Sequence, residues 1–164
     1  MRFHAEHEFP GPPAAVAAIL CDPEFHRGLD LPDLSRPEVV AHSTVGTVTE
    51  LHLRYEFVGH LDPVARRLLA GRALTWLQEL RFDTATGTGR LSFSAEAEAD
   101  RLYGSADITL VALAGNRSQR RVEGELFVRV PLVGRTAERR IVPGLVRRLG
   151  VEADAVTREI TASP

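Results

Sequence analysis

The C-terminal stretch, residues 132–160, constrains the fold more than any other part of the chain. Apolar side chains recur there at Ile141/Val142, Leu145, Leu149, Ala153, Val156 and Ile160, at steps of three and four. Between them stand Arg139, Arg140, Arg147, Arg148, Glu152, Asp154, Arg158 and Glu159. That period is an amphipathic α-helix with an apolar stripe and a charged back. Burying the stripe is worth on the order of 10 kcal/mol as an upper bound, at ~1.5–3 kcal/mol per large side chain. An isolated helix cannot collect that energy, so the stripe demands a broad apolar partner. The preceding chain is mostly β-like, which makes the partner a sheet. Pro143-Gly144 interrupts the pattern and predicts a kink.

Residues 2–9 alternate, with Phe3, Ala5, His7 and Phe9 on one face and Arg2, His4, Glu6 and Glu8 on the other. This is a half-buried strand. Pro10-Gly11-Pro12-Pro13 ends it, and residues 14–20 read as a short apolar helix. Asp22-Pro23, an N-cap followed by an N1 proline, opens a second short helix reaching about residue 29. After a loop over residues 31–37, strands are expected at 38–44 and 47–57, joined at Val45-Gly46. One or two helical turns over 62–70 intervene. Further strands follow at 72–83, 91–99, 101–114 and 120–130, the last pair turning at Gly115-Asn116.

At 164 residues the chain reads as a single domain, 1–164, large enough to close a core or a cavity. A net charge of -2 argues against nucleic acid and against a polybasic membrane anchor. No apolar run approaches membrane-spanning length, and the N-terminus has no apolar leader, so a cytoplasmic location without stable membrane insertion is expected. All 20 basic residues are Arg, and Cys21 is the sole cysteine, which excludes an intramolecular disulfide and a cysteine-based zinc cluster.

The order is strand, two short helices, about six antiparallel strands and one long helix. It resembles the helix-grip architecture of the START-like superfamily, which includes polyketide cyclases, lipid-transfer domains and pollen-allergen-like proteins. The opening Arg2-Phe3-His4-Ala5-Glu6-His7-Glu8-Phe9, the proline-led short helix and Asp22-Pro23 carry the resemblance over nearly the whole chain. Val128-Arg129-Val130-Pro131-Leu132-Val133-Gly134 followed by Glu138 is similar to an uncharacterised bacterial subfamily. The resemblance implies an α+β fold: a curved antiparallel sheet of about seven strands wrapping the last helix around an apolar cavity. It supplies no catalytic motif.

Alternation points Leu53, Tyr55, Trp76, Gln78, Phe93, Ile108 and Leu126 inward, opposite Val142, Val146 and Leu149 of the helix. Ligand sites are mostly apolar with a few orienting polar groups. Gln78 suits that role, set in an apolar row between Trp76 and Leu80, and Tyr55 adds a hydroxyl. The competing reading is a filled core in which Gln78 satisfies the backbone. His7, on the apolar face of the first strand, is the sharpest acid–base candidate, against a neutral hydrogen-bonded histidine. Glu96, Glu98 and Asp100 with His42, His52 or His60 read as a solvated sheet face, and the paired arginines, Arg120/Arg121 and Arg147/Arg148 among them, as solvated too. Cys21 reads as a small buried hydrophobe. No metal and no cofactor are called for.

The leading expectation is a non-catalytic protein that sequesters a small-to-medium hydrophobic molecule (a lipid, polyketide or aromatic metabolite). Its entry would be gated by loops near 31–36 and 58–70, and a homodimer is compatible with the sequence. The alternatives are a cyclase- or dehydratase-like enzyme using His7 and Tyr55, and a protein-interaction domain with a filled core.

Overall fold

The structure, a computed structural model, describes residues 1–61, 63, 66, 69 and 71–162. The elements run β1 (Arg2–Phe9), α1 (Pro13–Leu20), α2 (Pro23–Gly28), β2 (Glu38–Val45), β3 (Val48–Glu56), β4 (Thr75–Asp83), β5 (Thr88–Ala95), β6 (Leu102–Leu113), β7 (Arg117–Val128) and α3 (Gly134–Ala162). Of the stretch 62–70, where helical turns are expected, residues 62, 64, 65, 67, 68 and 70 lie outside those described. Asp22 caps α2 as its sequence implies, its carboxylate accepting the Glu24 N–H at 2.9 Å. The β6–β7 turn places Gly115 at φ 74° and Asn116 at φ 56°, the left-handed region that these two residue types tolerate best.

The seven strands form one antiparallel sheet in the order β1-β7-β6-β5-β4-β3-β2. The ends of β3, β5 and β7 therefore lie at the same end of the sheet as the starts of β2, β4 and β6. Only the β2–β3 ladder shifts register, between Val39 and Ala41. The ladders from β3 through β7 and on to β1 run without a shift, so period-2 alternation assigns their faces correctly. Gly104 on β6 faces Phe93 on β5, and a Cβ there would stand 2.3 Å from the Phe93 ring and 2.5 Å from the Glu125 carbonyl oxygen. The ring fills the notch that the missing side chain leaves.

The curved sheet closes on α3, which packs on β1, β7 and α1. Its Val142, Leu149, Ala153 and Val156 join Leu51, Leu53, Phe82, Val122 and Leu126 of the sheet in one apolar cluster. This is the helix-grip arrangement that the resemblance implied. α3 runs as one helix from Gly134 to Ala162 through Pro143, the position of the expected kink. Pro143 is exposed, so the carbonyl deprived of its hydrogen bond faces the solvent side of the helix.

Candidate ligand-binding site

The middle of this core is not apolar. Arg120 (2% exposed), Arg148 (6%) and Glu152 (5%) are buried there together with Gln78 and His26. Three elements carry the charged and titratable groups inward. Arg120 shares its face of β7 with Ser118, Val122 and Leu126, all buried. Arg148 and Glu152 are one helical turn apart on α3 and flank Leu149 and Ala153. His26 is carried inward by α2.

Arg120 is held from several sides. Its Nη1 donates to Glu152 Oε1 at 2.5 Å and its Nη2 to the Leu149 carbonyl at 3.0 Å. The Nη2 also lies 3.3 Å from His7 Nδ1, and the guanidinium stands 5.8 Å from the centre of the Phe9 ring. Burial pushes the Glu152 carboxyl up, but the charges of Arg120 and Arg148 and the hydrogen bond from Arg120 more than reverse this, so it stays below its ordinary range. The Arg120–Glu152 pair is thus ionised and internally neutral.

Arg148 has no such counterion. Its Nη2 donates to Gln78 Oε1, and its guanidinium lies 4.8 Å from the centre of the Tyr55 ring. Tyr55 in turn stacks on Trp76 at 5.5 Å between centroids. No carboxylate among the described residues is within ion-pair distance of Arg148, so the cluster carries one uncompensated positive charge. The arginine ion-paired with Asp33, at 3.2 Å, is its exposed neighbour Arg147.

A void of about 30 Å³ lies beside these groups, walled by His26, Gln78, Arg120, Arg148, Glu152 and Leu149 among others. That is the scale of a water molecule or a single polar head group. Several buried polar atoms here have no hydrogen-bond partner among the described residues: His26 Nδ1, Arg148 Nε, Arg120 Nε and the Tyr55 hydroxyl. Burial pushes the Tyr55 phenol up to about 12, so it is neutral. His7 is lowered to about 4 by burial first and by Arg120 second, so it too is neutral near pH 7.

The structure places the inward-facing candidates as follows. Leu53, Tyr55, Gln78, Ile108, Leu126, Val142 and Leu149 are buried, whereas His7, Trp76, Phe93 and Val146 are only partly so. His7 and Tyr55 do not form a pair: His7 sits against Arg120, and Tyr55 lies with Gln78 around Arg148. Three expectations are corrected. Arg148 and Glu152, assigned to the charged back of the last helix, point into the core, and Arg120, assigned to a solvated face, is among the largest fully buried side chains. Hydrophobic periodicity assigns charge to solvent. It does not register two charges that cancel each other inside. The parity of Leu126 and Val122 already turns Arg120 inward. For His26 the sequence offers no comparable signal.

Burial also varies along the core. Leu51 and Phe82, toward the β2–β3 and β4–β5 turns, are sealed, as are Phe9 and Val16. Trp76 and Phe93, with Ile141, Leu145 and Val146 of α3, are only partly covered although they line the inner face. The chain around residues 33–35 is stitched to the end of β3 by Ser35 N–H to the Glu56 carbonyl and Val58 N–H to the Asp33 carbonyl, each at 2.9 Å. The less sealed side of the core is therefore the N-terminal half of α3 over the start of β4.

A curved seven-stranded antiparallel sheet around a long C-terminal helix, with two short helices after the first strand, defines a START-like, Bet v 1-like helix-grip domain. The chain belongs to the protein family of unknown function DUF2505, whose model matches residues 4–160. No functionally curated protein matches it by sequence. Among solved structures it is similar to TTHA0849 from Thermus thermophilus, at 18% identity and a TM-score of 0.70 over 100% of both chains. It is also similar to the ZhuI aromatase/cyclase from Streptomyces sp. R1128, at 17% identity and a TM-score of 0.65 over 97% of this chain and 93% of that one. A third is norcoclaurine synthase from Thalictrum flavum in complex with dopamine and hydroxybenzaldehyde, at 17% identity and a TM-score of 0.65 over 100% and 88%. At these identities the likeness establishes the fold. No helix among the described residues is long and apolar enough to cross a membrane.

Proposed function

We propose that this protein binds a small-to-medium hydrophobic molecule with an acidic head group between its sheet and α3. The head meets Arg148 and the apolar body lies toward Trp76, Phe93 and Val146. One observation carries the reading: Arg148 is buried, lacks a carboxylate partner among the described residues and borders a head-group-sized void. A buried guanidinium without a counterion is costly, and an anion beside it recovers that cost. The void accepts a head group only, so the body enters by displacement of the partly covered side chains under the N-terminal half of α3. The fold relative crystallised with dopamine and hydroxybenzaldehyde supports small aromatic molecules as one class of body.

Leu53, Tyr55, Ile108, Leu126, Val142 and Leu149 then form the wall and Gln78 orients Arg148. The sole tryptophan, Trp76, reports binding by fluorescence. With 2-naphthoate as probe, Arg148→Met is expected to weaken binding about 10–100-fold, the value of one charge-assisted contact, without lowering stability. Equal affinity in Arg148→Met would remove Arg148 from the site.

A further inference from the structure

The groups around the void specify the head group more narrowly than charge does. His26 Nε2 lies 2.8 Å from the Leu20 carbonyl oxygen, which can only accept. The proton is therefore on Nε2, and Nδ1, buried and without a partner among the described residues, presents a lone pair. Arg148 Nε is the complementary group, a buried N–H without an acceptor, and both residues border the void. A head group that satisfies both must accept from one side and donate to the other. An ester, ether or ketone accepts only. A bare carboxylate satisfies Arg148 but sets its own lone pairs against that of His26.

We infer that the site selects head groups bearing an acidic O–H (a carboxylic acid, an enol or a phenol), with the oxygen on Arg148 Nε and the proton shared with His26 Nδ1. This rests on the ligand reading above and adds a proton to it. A carboxylate arriving from neutral solution takes up one proton from solvent, which resides between its oxygen and Nδ1; no other bond is made or broken. Every charged group facing His26 is consistent with that step. Glu152 and Arg148 reach it from α3 with opposite signs, Asp22 lies at the start of its own helix, and Gln78 and Arg120 complete the wall from the sheet. Burial holds the free His26 below its ordinary range, so it is neutral when a ligand arrives.

The test is isothermal titration of the full chain with 2-naphthoate, 2-naphthol and methyl 2-naphthoate, in buffers of different ionisation enthalpy. Expected is uptake approaching one proton per 2-naphthoate, none for 2-naphthol, and binding of the ester at least about tenfold weaker than that of the naphthol. Affinity for 2-naphthoate should rise by up to about tenfold for each unit fall in pH, the limit for one linked proton. His26→Gln, which keeps a donor and an acceptor but does not titrate, should fold and lose the proton uptake that accompanies 2-naphthoate binding. Binding of 2-naphthoate without uptake, or an ester as tight as the naphthol, overturns the inference and leaves the ligand reading standing. Failure of all three probes to bind overturns both.

Discussion

Glu152→Gln tests the physical heart of this core. Among the described residues Glu152 is the only carboxylate within ion-pair distance of Arg120, none is within that distance of Arg148, and Glu152 is 5% exposed. Glutamine has the same shape, so the substitution opens no cavity. It removes one charge and leaves Arg120 and Arg148 both uncompensated. Breaking a buried pair from one side costs about 3–5 kcal/mol, because the surviving ion keeps its desolvation penalty. Against a typical total of ~5–15 kcal/mol that is a large fraction. For a chain of 164 residues it corresponds to a fall of about 6–20 °C in Tm, at ~2–4 °C per kcal/mol. Urea unfolding followed by Trp76 fluorescence gives the free energy directly. A loss below about 1 kcal/mol, the range of exposed pairs, would show that the cluster is hydrated and not a dry ionic core.

Further outcomes follow from the same geometry. His7 is lowered from 6.5 to about 4, and His26 is lowered too, so between those values the unfolded chain binds more protons than the folded one. Stability is therefore expected to fall as pH drops from about 6.5 toward 4. Urea midpoints at pH 7 and pH 5 check this, and a midpoint equal or higher at pH 5 would contradict it. Gly104→Ala drives a methyl into the Phe93 ring and the Glu125 carbonyl, and is expected to cost ~1–3 kcal/mol, the range for overpacking. An unchanged Tm would place the β5–β6 contact elsewhere.

The architecture was legible because its signals are periodic and local. Alternation in β3 through β7 needs no knowledge of the rest of the chain, and no bulge displaced it where the site lies. The apolar stripe of α3 was equally plain. The charged centre was not legible in the same way. Arg120 meets Glu152 across 32 residues, and Arg148 meets Gln78 across 70, so each looks solvated until the fold brings the partners together. Arg148 illustrates the difficulty best. It follows Arg147, which is exposed and paired with Asp33, and nothing in an Arg-Arg dipeptide says which of the two turns inward. Only its neighbour Leu149, at the centre of the stripe, hints at the answer.

The most direct measurement is a crystal structure of the protein soaked with 2-naphthoate. The expected result is a carboxylate oxygen at hydrogen-bond distance, about 3 Å, from Arg148 Nε, with the naphthalene ring between Trp76 and the N-terminal half of α3. A probe bound only on the outer face of the sheet, with Arg148 left on Gln78 and Tyr55 alone, would contradict the account.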